Sequence, residues 1–318
     1  MRLRRRVFGA GALSFPTWAY MTFFFVIPVA LVIWYSFGYK PDIFTTYSMD
    51  HLSFDRYHEA VSSTFISTFW ATLRIAGLGT AICLVIGVPF AYWLAVKVSP
   101  RRRNLLLALV MVPFWTNFLV RTLGWQVILS QQGFVSQLWQ SLGLGGPFDI
   151  LYTRSAVQIG VVYNYLPLMI LPLFVSIDRA GQSLREASRD LGAGRWRTLF
   201  QVTLPLAAPG IASGCLLVFV PLMGDYITAS VLGGAHGTMV AMLVASQFQD
   251  AANWALGAAM AVVLMIFILV SVLIAAAIVF TVKWIIGRRI RVSLPTPVTP
   301  AGSHAQPAFH TAQGAENA

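Results

Sequence analysis

The sequence predicts an all-α membrane protein with about six transmembrane helices, and three observations support this. The chain is 57% hydrophobic and only 10% charged, whereas soluble domains are about 25% charged. Apolar runs of about 20 residues, long enough to cross a bilayer, recur along the chain. Finally, basic residues concentrate in alternate connecting segments, which is typical of multi-pass membrane proteins.

The predicted spans account for most of the chain. The six spans are Trp18–Phe37, Thr72–Val96, Leu105–Leu129, Ala156–Val175, Pro209–Leu232 and Ala255–Ile286. A proline inside a span frees a backbone carbonyl and kinks the helix. Such prolines occur at positions Pro89, Pro113, Pro167, Pro172 and Pro221. They predict a bundle that flexes or lines a cavity.

The basic residues predict the orientation of these spans. A net charge of +11 would also suit a nucleic-acid-binding protein, but the positions favour topology. With the N-terminus inside, seventeen of the 22 Lys and Arg residues fall on the cytoplasmic side: Arg2, Arg4, Arg5, Arg6, Lys97, Arg101, Arg102, Arg103, Arg179, Arg185, Arg189, Arg195, Arg197, Lys283, Arg288, Arg289 and Arg291. We therefore expect both termini in the cytoplasm and no nucleic-acid partner.

Composition also divides the chain into segments. Residues 1–16 form a basic cytoplasmic N-terminus, residues 17–287 the transmembrane domain, and residues 288–318 a tail rich in Pro, Ala and Gly that we expect to be disordered. The arginine-rich start resembles a signal-peptide n-region. However, the apolar run after it is long enough to span and no A-x-A site follows, so we expect an uncleaved first helix.

The connection between the fourth and fifth spans carries a motif. It reads Glu186-Ala187-Ser188, three residues, Gly192, nine residues, then Val202-Thr203-Leu204-Pro205. Glycine reaches positive φ readily and ends helices, so this pattern predicts a short helix, a sharp turn and a second helix. The segment resembles the EAA loop of permeases from binding-protein-dependent ABC importers, with Ser in place of the second Ala and Val in place of Ile. We call residues 177–208 the EAA-like loop.

The resemblance has structural and functional implications. It implies the type I ABC importer permease fold in a bacterial inner membrane, with Glu186, Ala187, Ser188 and Gly192 contacting an ATPase. Leu204 and Pro205 would join this knob to the moving fifth span. The implied partners are a dimer of ATP-binding subunits, a second permease subunit, expected to be a homologue, and a periplasmic solute-binding protein. Whether the permease pair is homomeric or heteromeric stays open.

We expect the chain to catalyse no chemistry of its own. A P-loop requires Gly-Lys-[Ser/Thr], and neither Lys40, Lys97 nor Lys283 follows a glycine. ATP is therefore expected on the partner ATPase, with no cofactor, catalytic residue or metal site on this chain. A membrane-embedded enzyme would need paired carboxylates or a Cys/His or metal cluster, and a secondary transporter more intramembrane ionisable groups. Both alternatives are disfavoured.

Asp225 is the carboxylate placed clearly within a predicted span. It is interpreted either as a cation contact on the transport path, as a structural partner of Arg121 or Arg74, or as an interfacial residue. The stretches 113–121 and 224–234 resemble the spermidine/putrescine permease branch. This resemblance implies a polyamine or related organic cation as the solute, although iron, opines, phosphonates and thiosulfate remain alternatives. The candidate pathway residues are Asp225, Tyr226, Trp115, Asn117 and Arg121.

Overall fold

The computed structural model describes residues 10–289, apart from Ile43, Leu144 and Pro147. The arginines predicted at the N-terminal end and residues 290–318 of the predicted tail lie outside these residues. Arg288 and Arg289, the first two residues of the tail predicted to be disordered, are helical instead. The chain divides into two units, Met1–Val272 and Leu273–Ala318. The helix packing lies in the first unit. In the second unit, the described residues are helical as far as Arg289.

The described residues form helices, with one isolated bridge between Tyr39 and Ser48 and no strand. The helices are α1 (Ala10–Met21), α2 (Ile27–Tyr35), α3 (Asp55–Ala60), α4 (Ser63–Val96), α5 (Pro100–Trp115), α6 (Phe118–Leu129), α7 (Phe134–Ser141), α8 (Arg154–Arg179), α9 (Gln182–Asp190), α10 (Arg195–Thr198), α11 (Leu204–Leu206), α12 (Ala208–Met223), α13 (Tyr226–Thr228), α14 (Val240–Gln249) and α15 (Trp254–Arg289). Three π-helical turns, Thr22–Val26, Leu199–Thr203 and Ala229–Gly233, join α1 to α2, join α10 to α11, and follow α13.

The predicted all-α class and the six spans are confirmed. Four helical segments are long and apolar enough to cross a membrane: Ser14–Tyr35, Ser63–Val96, Arg154–Arg179 and Trp254–Ala277. Two bent helix pairs complete the set: Pro100–Trp115 with Phe118–Ser141, and Arg195–Leu206 with Ala208–Met223. The bend of the first pair lies inside the third predicted span, whereas the bend of the second pair, at Ala207, lies just before the fifth predicted span, which begins at Pro209. The third span is therefore broken, which differs from the continuous helix expected from hydropathy.

The third span breaks at Thr116–Asn117, where the two halves meet at 87°. Pro113 lacks the N–H that would continue the helix ladder, and Thr116 adopts an extended backbone with ψ 154°. Asn117 then starts α6, since its Oδ1 accepts hydrogen bonds from the amides of Leu119 at 2.8 Å and Val120 at 3.4 Å. Side-chain capping of this kind satisfies amides that a helix start leaves unpaired.

The fifth predicted span breaks separately, between α12 and α13, and Asp225 lies at this break instead of inside a continuous helix. The α12 helix ends at Met223, two residues after Pro221. Asp225 caps the next short helix: its Oδ1 accepts from the Thr228 amide at 2.9 Å and its Oδ2 accepts from the Thr228 hydroxyl at 2.6 Å. Asp is a preferred N-cap residue, so this break is specified by local sequence.

The α8 helix is the centre of the bundle and packs against α4 and α12. Small residues allow close approach, as is usual in membrane helix packing. Gly87 of α4 faces Met169, while Gly210 of α12 meets Ser176 and the carbonyl of Pro172. The largest fully buried side chains include Met169, Leu173 and Ile177 of α8.

Contacts between loops show which connections share an end of the bundle. An ion pair between Arg103 and Asp178 brings the 97–103 connection against the EAA-like loop. At the opposite end, Arg154 Nε donates to the His236 carbonyl at 3.1 Å and Lys40 Nζ donates to the Ala251 carbonyl at 2.8 Å. Two of the four basic segments that the sequence assigned to one membrane side, the 97–103 connection and the EAA-like loop, therefore lie together.

Candidate functional site

The turn of the EAA-like loop has the geometry that the motif predicts. The helix α9 ends at Asp190, and Gly192 follows with φ +83°. The Ala193 amide donates to the Ser188 carbonyl at 3.1 Å, and the Gly192 amide donates to the Arg189 carbonyl at 2.8 Å. These two bonds form a Schellman motif, in which a left-handed residue closes the helix end. The prediction that Gly192 takes positive φ is confirmed.

The EAA-like loop exposes several large apolar side chains. Leu191 is 89% exposed and Trp196 is 74% exposed. Leu184 and Phe200 are also exposed, and the Trp196 and Phe200 rings stack with centroids 6.3 Å apart. Glu186 and Ala187, which were predicted to contact the ATPase, are exposed on α9. Contiguous exposed apolar side chains mark interaction surfaces.

The inner face of the EAA-like loop is tied to the rest of the protein. Ser188 Oγ lies 3.2 Å from Thr198 Oγ1, which holds α9 against α10. Arg185 is buried, and its Nη1 donates to the Ile177 carbonyl at 3.2 Å. Leu204 and Pro205 lie in α11, directly before the 69° bend into α12. The loop is thus a rigid knob joined to both α8 and α12.

The predicted pathway residues gather around the two helix breaks. Trp115 ends α5 and is 81% exposed, and Asn117 is the exposed cap of α6. The Arg121 guanidinium lies between two aromatic rings, 5.6 Å from the Phe114 centroid and 5.5 Å from the Phe118 centroid. Arg121 Nε and Nη1 are buried and have no hydrogen-bond partner among the described residues.

Asp225 is buried and lies close to Tyr165 of α8. The Tyr165 hydroxyl lies beside the Asp225 carboxylate. Within the described part of the chain, Asp225 forms no ion pair within 4 Å with Arg121 or Arg74. The direct pairing considered for Asp225 is therefore absent among the described residues, and the carboxylate accepts from Thr228 instead. Its role in transport stays a prediction.

Sequence reasoning missed the residues that complete this cluster. Thr228 follows Asp225 by three positions. An N-cap side chain accepts from an amide at this spacing, so the contact between Asp225 and Thr228 could have been predicted from the sequence. Tyr165 and Asn164 carried no such signal because they lie within an apolar run. Asn164 is buried; its Nδ2 donates to Thr122 Oγ1 at 3.2 Å, while its Oδ1 has no partner in the described structure.

Two cavities lie near, but not at, the predicted pathway residues. One of about 340 Å³ is lined by residues that include Trp125, Gln158 and Tyr163. Another of about 410 Å³ is lined by residues that include Asp149 and His236. None of the five predicted pathway residues lines either cavity.

The chain is similar to permease proteins of several bacterial transport systems. The chain is 39% identical over 245 residues to the spermidine/putrescine transport system permease protein PotB of Haemophilus influenzae, covering 77% of this chain and 85% of that protein. It is 36% identical over 248 residues to PotB of Escherichia coli K12, covering 78% and 89%. The molybdenum transport system permease protein ModB of Azotobacter vinelandii is 32% identical over 163 residues, covering 51% and 70%.

Solved structures agree on the fold. A bacterial ABC transporter that imports the acidic polysaccharide alginate matches with a TM-score of 0.66 at 18% identity, covering 88% of this chain and 95% of that one. Such low identity supports the fold alone. Residues 87–287 match the family of binding-protein-dependent transport system inner membrane components. Because this match covers more than half of the chain and agrees with the relatives, the chain belongs to that family.

Proposed function

We propose that this chain is the permease subunit of an ATP-driven importer of polyamines and that the ATPase is a separate polypeptide. The observation that carries the proposal is the likeness to PotB proteins, at 36–39% identity over 77–78% of this chain. The sequence contains no P-loop lysine, so energy has to come from a partner chain.

The EAA-like loop is proposed as the docking site of the ATPase. Its exposed side chains Leu184, Leu191, Trp196 and Phe200 present apolar and aromatic surface of the kind that anchors protein interfaces. Glu186 and Ala187 lie on the same helix, and the Gly192 turn fixes its orientation. Because Arg185 ties this knob to α8 and α11 ties it to α12, closure of the ATPase would displace both helices.

The cluster around the two helix breaks is proposed to line the solute path. Trp115 and Tyr226 expose aromatic faces, and such faces attract alkylammonium groups. Asp225 has about four lone-pair sites; Thr228 uses two of them and Tyr165 faces the same carboxylate. The exposed position of Trp115, Asn117 and Tyr226 suits a path formed between this chain and a second permease subunit.

The orientation follows from the same loop. An ATPase works in the cytoplasm, so the EAA-like loop and the 97–103 connection would face that compartment, in agreement with their basic residues. The opposite end, which carries the 36–62 connection and α14, would then face a periplasmic solute-binding protein. Both termini would be cytoplasmic.

Transport by the whole complex tests the proposal. The chain would be purified with the ATPase, second permease and solute-binding protein encoded with it, and placed in proteoliposomes. We expect ATP-dependent uptake of radiolabelled spermidine or putrescine and no uptake of molybdate. Uptake of molybdate without polyamine uptake would refute the solute assignment and keep the permease assignment. Polyamine uptake without ATP would refute the coupling to an ATPase.

A further inference from the structure

A polar junction between three helices lies beside the proposed ATPase-docking knob. Arg103, in the first turn of α5, donates from Nη1 to Asp178 Oδ1 at 2.7 Å. Its guanidinium also lies 5.4 Å from the ring centroid of Phe174, one turn earlier on α8. Asp178 precedes Gly181, whose φ of +73° begins the turn into α9. Arg103 therefore holds α8 at the point where the knob leaves it.

The knob reaches the same helix end from the other side. Arg185 of α9 is 6% exposed and bonds the Ile177 carbonyl, adjacent to Asp178. The last turn of α8 is thus held by one arginine from α5 and another from α9. A displacement of α9 therefore reaches α5 through two short polar contacts, without an intervening flexible segment.

The far end of α5 connects this junction to the predicted pathway residues around the break in the third span. The helix has 16 residues, which corresponds to about 24 Å. It ends at the break where Phe114 contacts Arg121, and the Phe118 ring lies 6.0 Å from the ring of Tyr165 on α8. Hence α5 contacts α8 near Arg103, and Phe118, just after α5, contacts α8 near the break. Movement imposed near Arg103 would reach the break through these contacts.

We propose that Arg103 and Asp178 are positioning residues that couple the third span to the ATPase-docking knob. This inference rests on the proposed function of the EAA-like loop. Side chains of the pair are 24% and 43% exposed, so the ion pair itself adds little to stability. Its contribution is geometric, because it makes α5 follow α8 when the knob moves.

The test measures transported solute per ATP hydrolysed in the reconstituted complex. Arg103→Gln and Asp178→Asn each remove one charge of the pair, and we expect each to lower this ratio several-fold while the ATPase still co-purifies. The double variant should be no worse than either single variant, since contacting residues act non-additively. Arg103→Lys keeps the cation and should retain most of the wild-type ratio.

The neighbouring Arg102 offers a matched control because it is exposed and has the same charge. Arg102→Gln should leave the ratio unchanged. An unchanged ratio in Arg103→Gln and Asp178→Asn, additive losses, or an equal loss in Arg102→Gln would overturn the proposal. Failure of the proposed function looks different: the ATPase would then not co-purify with the wild-type chain, or polyamine uptake would be absent with every variant.

Discussion

Replacement of Gly192 gives the sharpest test of the EAA-like loop. The φ of +83° at this residue is unfavourable for any residue with a Cβ atom, although a Cβ there would meet no atom within 4 Å. The cost of Gly192→Ala is therefore backbone strain alone, about 1–2 kcal/mol. If the docked state requires this turn, ATPase affinity should fall by about 5- to 30-fold.

Two further substitutions separate backbone strain from other effects. Asn tolerates the left-handed region better than Ala, so Gly192→Asn should fall between Gly192→Ala and the wild type. Gly194 also has open space around it, but its φ of −64° is ordinary and it caps α10. Gly194→Ser keeps a good N-cap residue and should bind the ATPase normally.

The assay is titration of the purified ATPase against the detergent-solubilised permease complex, followed by solute-stimulated ATP hydrolysis. The expected order of affinity is wild type and Gly194→Ser, then Gly192→Asn, then Gly192→Ala. Equal affinity for Gly192→Ala and Gly194→Ser, or weaker binding by Gly192→Asn than by Gly192→Ala, would refute the strain argument and with it the role of this turn.

Three more predictions concern other parts of the chain. Asn is as good an N-cap as Asp, so Asp225→Asn should leave membrane abundance near normal while spermidine uptake falls several-fold. Undiminished uptake would exclude a cation contact, and low abundance rescued by Arg121→Gln would indicate that the charges of Asp225 and Arg121 are coupled. Gly210→Ala places a methyl group against Ser176, 2.5 Å from the Pro172 carbonyl oxygen, and should lower the free energy of unfolding by about 1–3 kcal/mol. The control Gly77→Ala has open space around the new methyl group and should be near neutral. Equal melting temperatures for the two variants would contradict this packing. A periplasm-active reporter fused after Arg291 should stay silent, and strong activity there would reverse the assigned orientation.

The sequence was most informative where composition and local geometry decide the outcome. The six spans follow from apolar runs that exceed the bilayer thickness, and the four unbroken helices are close to the predicted segments. The Gly192 turn was also predictable, because only glycine adopts positive φ without strain. These features depend on residues close together in the chain.

The breaks in the third and fifth spans were harder to predict. Hydropathy averages over about 20 residues, so a polar residue such as Asn117 or Asp225 lowers the average without revealing a change of direction. Pro113 and Pro221 signalled kinks. However, Pro89, Pro167 and Pro172 lie inside continuous helices, so a proline alone does not identify a break. The additional element in both broken spans is a capping side chain.

The amino-acid sequence by itself determined the membrane class, the approximate spans, the side on which basic residues collect and the turn of the EAA-like loop. Only the tertiary structure decided that Arg103 meets Asp178, that Tyr165 faces Asp225, and that Arg121 lies between two phenylalanines instead of pairing with a carboxylate. The pairs Arg103–Asp178 and Tyr165–Asp225 each join residues at least 60 positions apart, on helices whose order leaves many packings possible. Their proximity depends on how α5 and the segment between α12 and α13 pack against α8, which no local pattern specifies.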